Sequence, residues 1–275
     1  MKTSEIEITP NKAIGLDEGK VLIRSATVDE VTGKYDRKWR NVKFGVGYPF
    51  DENGKKDGFA QYTAEVACVL NEFEKPFKEL IMRTGFLLAD NQAALSDGGN
   101  GYDTFLEQNC PNAIRILDAY HLKEHIWVLA KLLYKDNPDG TPAKNAIDFV
   151  ALQYETLKEK GFKNFITSIQ IFKADIKRNQ IALWEKEINY FMKNENRLDY
   201  PLYIQKKLPL GSGVVEGGIK HICNKRLKLG SACWLLKNAN GILKLRIVWF
   251  NNNSNEFWNW RDKQFLRDKP FLKAS

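Results

Sequence analysis

The sequence has little cysteine, and the spacing of its cysteines excludes two common uses of that residue. The four cysteines are Cys68, Cys110, Cys223 and Cys233. They include no Cys-x-x-Cys pair and are too few for a disulfide framework, so we interpret them as reduced core residues. A zinc site built from Cys223, Cys233, His221 and His121 is conceivable. We do not favour it, because the close ligand pairs of common zinc modules are missing.

Long apolar runs are missing as well. No segment of the 275 residues is apolar over the length that a bilayer requires, and the N-terminal residues lack the apolar core of a signal peptide. We therefore expect a cytoplasmic protein without a membrane partner. With 43% hydrophobic residues, no internal repeat and no low-complexity tract, the chain can bury a full core.

Acidic residues are scarce in the last quarter of the chain. Residues 206–275 hold 14 Lys and Arg against 4 Asp and Glu, whereas the preceding 205 residues hold 28 against 30. The formal net charge of +8 is therefore concentrated at the C-terminal end. This asymmetry predicts a surface for a phosphate backbone beside an acidic core that holds metal. A solvated lysine-rich surface would give the same composition.

The hydrophobic pattern predicts a mixed sheet. Three β-rich runs separated by charged turns favour an antiparallel meander, at 13–23, 39–48 and 59–66. A helix, a strand, a helix and a strand follow, at 69–84, 93–96, 102–108 and 113–117. Because strands joined through a helix pair in parallel, the second part of the sheet is expected to be parallel. The expected fold class is α/β with a three-layer core.

The stretch from about 121 to 191 shows amphipathic helical spacing and no strand pattern, with breaks at 137–142 and at Gly161. This pattern predicts an all-helical insertion that interrupts the α/β core. The expected division is a first core part, the insertion and a second core part, over 1–134, 135–205 and 206–275.

The second core part ends in an aromatic cluster, which consists of Trp249, Phe250, Phe257, Trp258 and Trp260. We expect these rings to pack against the sheet, because large aromatic side chains dominate protein cores. Stacking on nucleic-acid bases is the alternative.

Three carboxylates are the candidate catalytic and metal-binding residues: Asp17, Asp97 and Glu216. Asp97 ends a predicted strand and Asp17 lies within or at the end of the first, and functional side chains of open sheets gather at strand ends. Two aspartates and a glutamate suit a pair of Mg²⁺ or Mn²⁺ ions about 4 Å apart, which support in-line displacement at phosphorus. Asp29 follows a similar strand-like run and is a rival for Asp17.

Glu216 belongs to a glycine-rich block at 210–220. A glutamate in the first turn of a helix is favoured by the helix dipole, and small neighbours let a metal and a bulky anion approach. Ser212 fits the alternative of an ordinary helix cap. The cationic residues that follow are expected to contact DNA phosphates, and Lys220 is expected on the same helix face as Glu216. They are Lys220, Lys225, Arg226 and Lys228.

Asp118 and His121 are expected to order the floor of the site, because Asp118 ends the last predicted strand and a helix starts beside it. His125 lies one helical turn beyond His121 and receives no assigned role.

Two segments resemble bacterial insertion-sequence transposases of the DDE type, in particular the Kra-type group. The first, at 95–125, contains Leu95-Ser96-Asp97-Gly98 and the Asp-x-x-His signature formed by Asp118 and His121. The second, at 208–234, contains Leu210-Gly211-Ser212-Gly213-Val214-Val215-Glu216. With Asp17 and the run from Trp39 to Gly45, the resemblance spans nearly the whole chain.

This resemblance implies an RNase H-like catalytic core interrupted by a helical insertion. It also implies magnesium-dependent cleavage and joining of double-stranded DNA by a homo-oligomer in the bacterial cytoplasm, at the nucleoid. The chain departs from the family pattern at Asp17-Glu18-Gly19, where Asp-Gly is common, and at 99–102, where tryptophans are common. Family members carry a helical DNA-binding region before the first acid, whereas 16 residues precede Asp17 here, so an N-terminally truncated remnant is also expected.

The leading functional hypothesis is a transposase catalytic domain that hydrolyses and then transfers DNA strands, with Asp17, Asp97 and Glu216 as metal ligands. A structure-specific nuclease on the same fold would cut without joining. A degenerate remnant would bind DNA through the basic C-terminal quarter without turnover, and its binding would depend strongly on salt.

Overall fold

The computed structural model describes residues 9–99 and 101–268. The strands are β1 (Asn11–Val28), β2 (Tyr35–Pro49), β3 (Gln61–Val66), β4 (Asn91–Ser96) and β5 (Ile114–Leu117). They form one mixed sheet in the order β3-β2-β1-β4-β5. The first three strands pair antiparallel, and β4 and β5 extend the sheet in parallel from β1. The predicted α/β class, antiparallel meander and parallel crossovers are therefore confirmed.

The helices surround this sheet. In chain order they are α1 (Leu70–Thr84), α2 (Tyr102–Asn109), α3 (Ala119–Leu133), α4 (Lys144–Gln170), α5 (Ile181–Lys193), α6 (Tyr200–Gln205), α7 (Gly213–Gly218), α8 (Lys225–Leu227), α9 (Leu236–Phe250) and α10 (Ser254–Asp268). A π-helical turn, Ile219–Asn224, joins α7 to α8. Short 3₁₀ turns lie at Phe86–Leu88, Ile171–Asp175, Arg178–Gln180 and Glu195–Arg197. None of the helices in the described ranges combines the length and apolarity needed to cross a bilayer.

The two faces of the sheet pack against different helices, as the alternation of side chains along β1 requires. Ile14 and Leu16 join a buried cluster with residues of α1 and α2. Ala13 and Val21 belong to the opposite cluster, to which α3, α7, α9 and the insertion contribute. This arrangement is consistent with the expected three-layer core.

β1 and β2 are longer than the sequence indicated. β4 pairs only with residues 11–16 of β1, whereas β2 pairs with β1 back to Tyr35, so the two strands continue past the parallel strands as a ribbon. Residues 26–41 of this ribbon are exposed. An exposed ribbon shows no alternation of buried and exposed side chains, and the sequence therefore carried no signal for its full length.

α1 agrees with the predicted helix at 69–84 except at its first residue. Phe73, Phe77, Leu80 and Ile81 form its buried apolar face, as their spacing predicted. Val69, which was expected on that face, precedes the helix in extended conformation and is exposed. The carboxylate of Glu72 accepts a hydrogen bond of 3.1 Å from the Val69 N–H and so fixes the helix start.

The segment between β5 and α7 contains only helices and turns, as predicted. α4 is interrupted at Gly161, where the sequence predicted a break, because a φ of +77° favours glycine. Phe149, Phe165 and Trp184 of this segment are buried in the same cluster as one face of the sheet. The insertion therefore shares a core with the sheet.

The C-terminal aromatic cluster does not pack as expected. Phe250 contacts Tyr62 of β3, with 6.4 Å between ring centroids. Trp249, Trp258 and Trp260, however, are 68%, 45% and 57% exposed. The prediction of packing against the sheet is therefore wrong for the three tryptophans. α9 contacts β3, and its buried residues are Ala239 and Leu243 and not Trp249, whereas Trp258 and Trp260 belong to α10, which contacts α9.

Candidate active site

The register of β1 and β4 brings two of the three candidate acids together. The strands pair in parallel with Leu16 opposite Ser96, so Asp17 and Asp97 follow at neighbouring positions. His121 in the first turn of α3 joins them, and one potential ligand atom from each of the three residues lies within 4.8 Å of the others. The sequence placed His121 in a supporting role, whereas the structure places its ring beside the two aspartates.

Glu216 lies in the first turn of α7 and shares a cleft of about 400 Å³ with Asp17. Ser212 Oγ donates a hydrogen bond of 3.0 Å to Glu216 Oε1. Although Ser212 occupies the position before the helix, its hydroxyl makes no capping bond to the backbone. The serine therefore orients the glutamate and is not the ordinary cap considered from the sequence.

Asp118 is completely buried and connects the start of α3, which carries His121, to the start of α7, which carries Glu216. Its Oδ2 accepts a hydrogen bond of 3.1 Å from the His121 N–H and so caps α3. Its Oδ1 accepts one of 2.5 Å from the Ser212 N–H, directly before α7. One buried carboxylate thus holds the helix of His121 against the helix of Glu216, which is the geometry expected of a residue that orders the floor of a site.

A buried arginine supports the ends of the parallel strands. The Arg197 side chain is 1% exposed, and its guanidinium donates hydrogen bonds to the carbonyl oxygens of Ser96 at 2.8 Å, Asp97 at 3.1 Å and Ile116 at 3.2 Å. Asp103 Oδ1 lies 3.6 Å from Arg197 Nε and partly balances the buried charge. Because three of these contacts are at strand ends, Arg197 fixes the backbone that carries Asp97.

Burial and neighbouring charges set the ionisation of the cluster. Burial raises the pKa of Asp17 to about 6; the Glu18 N–H opposes this rise and the charge of Asp97 adds to it. Burial alone would lower the pKa of His121, but nearby carboxylates, above all that of Asp118, raise the His121 pKa overall. His121 Nε2 is buried and has no hydrogen-bond partner within the described residues. A bound cation would stabilise the close carboxylates, and the unpartnered nitrogen would ligate it once the ring has lost its proton.

Replacing Asp17 with Asn is expected to stabilise the metal-free protein at pH 7.5. The pKa of Asp17 is about 6 in the folded protein against an ordinary value of 3.8, so ionisation of this carboxyl opposes folding. The opposing effect is absent below pH 4, grows between pH 4 and 6, and is constant above. In urea unfolding we expect the variant to gain about 1–3 kcal/mol at pH 7.5 and nothing at pH 3.5.

Magnesium provides the control for this stability measurement. If Asp17 binds the ion, Mg²⁺ raises the melting temperature of the wild type more than that of Asp17→Asn. Equal stability of the two metal-free proteins at pH 7.5 would contradict the burial argument, and equal responses to Mg²⁺ would contradict the assignment of Asp17 as a ligand.

The basic residues are distributed unevenly around the cleft. Lys20 and Lys228 line it together with Asp17 and Glu216. Lys220 is exposed and lies outside the residues that line the cleft. The helix changes from α to π form directly after α7, so the α-helical spacing used for that prediction does not apply there.

The other two predicted DNA contacts lie in α8. Lys225 and Arg226 are exposed, and the guanidinium of Arg226 stacks over the ring of Trp234 at 5.1 Å from its centroid. Their contact with DNA stays a prediction.

The rival first acid lies in the turn of the β1–β2 ribbon. Asp29 Oδ1 accepts hydrogen bonds from the N–H groups of Val31 and Thr32 and from the Thr32 hydroxyl. The bonds from Thr32, and then that from Val31, hold the pKa of Asp29 below its ordinary value. Of the two candidates for the first acid, Asp17 lies beside Asp97, whereas Asp29 lies in the turn of the ribbon.

The conceivable zinc set is not brought together. Within 9–99 and 101–268, the group of potential metal ligands that contains His121 includes Asp17 and Asp97 and neither Cys223 nor Cys233. Cys110 and Cys223 are buried, as interpreted from the sequence, whereas Cys68 and Cys233 are only half-buried, so the interpretation as core residues holds for two of the four.

The glycines of the Glu216 block have two different roles. Among the described residues, no atom lies within 4 Å of the position that a Cβ would take at Gly213 or Gly217, apart from their own chain neighbours and helix backbone. Gly218 instead packs against the sheet, where an added Cβ would lie 2.7 Å from the ring of Phe44. The expectation that small residues let a ligand approach therefore fits Gly213 and Gly217, whereas Gly218 is required for packing.

Sequence reasoning missed Arg197 and Lys20 and left His125 without a role. His125 Nδ1 lies 2.5 Å from Glu187 Oε2, and its ring stacks on Tyr190 at 3.5 Å between centroids. His125 therefore joins α3 to α5 of the insertion. The sequence around Arg197 gives no signal of burial, because Asn194-Glu195-Asn196-Arg197 has the composition of an exposed turn.

No family model matches this chain, and no curated protein matches it.

Proposed function

We propose that this chain is the RNase H-like catalytic core of a DDE-type transposase, which cleaves and joins DNA strands with Mg²⁺ or Mn²⁺. The observation that carries the proposal is that Asp17 of β1 lies beside Asp97, which directly follows the neighbouring parallel strand β4, with Glu216 in the cleft that Asp17 lines. The meander followed by crossover strands and a helical insertion also agrees with what the sequence resemblance implies.

The departure at Glu18 does not disturb the proposed site. Glu18 forms an ion pair with Lys43, and its Oε2 accepts a hydrogen bond of 3.0 Å from the hydroxyl of Tyr102 in α2. Successive side chains of a strand point to opposite faces, so the Glu18 carboxylate points away from that of Asp17, although Glu18 also lines the cleft.

The residues present fit a divalent metal. Carboxylate oxygens are the ligands that Mg²⁺ and Mn²⁺ prefer, and His121 Nε2 is buried with no hydrogen-bond partner in the part of the chain that the structure describes. When bound, such ions activate the attacking oxygen and stabilise the leaving oxygen of an in-line displacement. Asp17, Asp97 and Glu216 would hold them, while Asp118, Ser212 and Arg197 keep these carboxylates in place.

The proposed reaction has two displacements at phosphorus. In the first, a water oxygen attacks the phosphodiester and the bond to the 3′ oxygen breaks, which leaves a 3′ hydroxyl. In the second, the oxygen of that hydroxyl attacks a phosphodiester of the target DNA and the bond from its phosphorus to the target's 3′ oxygen breaks, which leaves a 3′ hydroxyl on the target strand. Lys20 and Lys228 line the cleft and would position the backbone, and Lys220, Lys225 and Arg226 would extend this contact without selecting a sequence.

The test is cleavage of a labelled duplex that carries the flanking element ends, with Mg²⁺, with Mn²⁺ and with EDTA. We expect metal-dependent cleavage and, with target DNA added, joined products. Cleavage without joining would identify a structure-specific nuclease instead. DNA binding that weakens steeply with salt and shows no turnover with either metal would identify a non-catalytic DNA-binding protein.

A further inference from the structure

An apolar groove of about 270 Å³ lies between α9 and α10. The rings of Trp249, Phe257 and Trp258 line it, together with Arg226 and Arg246. Trp249 and Trp258 are 68% and 45% exposed, although large aromatic rings are normally buried. The groove therefore presents aromatic faces at the protein surface.

Arginines accompany these rings. The guanidinium of Arg261 lies 4.5 Å from the centroid of the Trp258 ring, and that of Arg246 lies 5.7 Å from the centroid of Phe250. Arg246 is also fixed, because it donates hydrogen bonds to the carbonyl oxygens of His221 and Ile222 in the π-helical turn. Rigid aromatic faces combined with guanidinium groups are the side chains on which unpaired bases stack.

The groove adjoins the candidate active site through one short segment. Asn224 and Lys228 line the acidic cleft, and Arg226 between them lines the aromatic groove. The π-helical turn and α8 thus separate the two depressions, with the cleft on one side and the groove on the other. The two depressions are therefore neighbours along this segment of the chain.

We propose that this groove binds unpaired bases of the DNA strand that is processed in the acidic cleft. This inference rests on the proposed function and adds a subsite to it. The surrounding charge suits a DNA strand, because residues 236–268 contain six Lys and Arg against three Asp and Glu. A second copy of the chain fits less well, since a two-fold interface through this groove would oppose two cationic faces.

The experiment compares two DNA probes in EDTA, so that cleavage plays no part. One is a blunt duplex, and the other is the same duplex with a short single-stranded tail that carries 2-aminopurine. We expect the wild type to bind the tailed probe at least about tenfold more tightly and to quench the 2-aminopurine. Trp249→Ala or Trp258→Ala should each remove about a factor of ten of that preference.

Trp39→Ala is the matched control. Trp39 is 59% exposed on the β1–β2 ribbon, so its removal tests the general effect of losing an exposed tryptophan. The proposal requires that this variant keep the tail preference and that all three variants melt near the wild-type temperature. Equal binding of blunt and tailed probes, or an equal loss in Trp39→Ala, would overturn it. So would a wild-type dimer that Trp258→Ala converts to a monomer, because a second copy would then occupy the groove.

The outcome separates this inference from the proposed function. Tail preference in a wild type that never cleaves DNA would support the groove and reject the transposase reaction. Metal-dependent cleavage without any tail preference would reject the groove alone.

Discussion

Asp97→Asn is expected to lower the rate of metal-dependent DNA cleavage by at least about a thousandfold, because a bound metal contributes several kcal/mol to stabilisation of the transition state. Asp97 and Asp17 lie on adjacent strands with their ligand atoms within 4.8 Å, so neutralising one removes charge from the whole cluster. Glu216→Gln is expected to have an effect of similar size. The measurement is single-turnover cleavage of end-labelled DNA at saturating Mg²⁺.

Asp29→Asn is the matched control for this loss. It removes the same charge from an exposed turn of the ribbon, and cleavage should stay within about twofold of wild type because exposed positions tolerate substitution. Asp97→Asn should still bind DNA, since the cationic residues are untouched. Full activity in Asp97→Asn would exclude the acidic cluster as the catalytic site. A loss in Asp29→Asn as large as that in Asp97→Asn would show that Asp29 also takes part in catalysis.

The second large effect concerns stability. Arg197→Ala is expected to lower the free energy of unfolding by at least about 3 kcal/mol, because it leaves the buried carbonyl oxygens of Ser96 and Ile116 and the partly buried one of Asp97 without their charged donor. The loss would be measured by urea unfolding at neutral pH. Cleavage should fall as well under conditions where the variant is fully folded, since the backbone of Asp97 loses its support.

Two further arginine variants make this prediction specific. Arg178→Ala removes an exposed arginine from the same insertion, and its stability should change by no more than about 0.5 kcal/mol. Arg197→Lys keeps the charge but has a single nitrogen for the oxygens that two guanidinium nitrogens now contact. It should therefore recover part of the stability while kcat remains low. A stable and fully active Arg197→Ala would show that the arginine neither supports the strands nor positions Asp97.

Much of the fold could be predicted because hydrophobic periodicity records which residues are buried. The apolar positions of α1 and the short buried strands β4 and β5 gave clear patterns, and strand-helix-strand order required parallel pairing. The β1–β2 ribbon was underestimated because residues 26–41 are exposed on both faces. The three C-terminal tryptophans were misjudged because composition alone does not tell an aromatic residue in a core from one at a surface.

Some residues of the candidate site could also be predicted from the sequence, and others could not. Asp97 was selected from the sequence because it follows a predicted strand, and Glu216 because it lies in a glycine-rich block at the start of a helix. The choice of Asp17 over Asp29 depended on the pairing of β1 with β4, which places Leu16 opposite Ser96. Both candidates follow strand-like runs, so local sequence could not separate them.

The sequence by itself determined the class of fold, the cationic C-terminal quarter and the small set of acids from which a site could be built. Only the tertiary structure decided which of these groups meet. Asp118 reaches Ser212 across 94 positions and Arg197 reaches Asp97 across 100. Contacts of that separation leave no periodicity in the chain, because they depend on how the insertion and the last helices pack against the sheet.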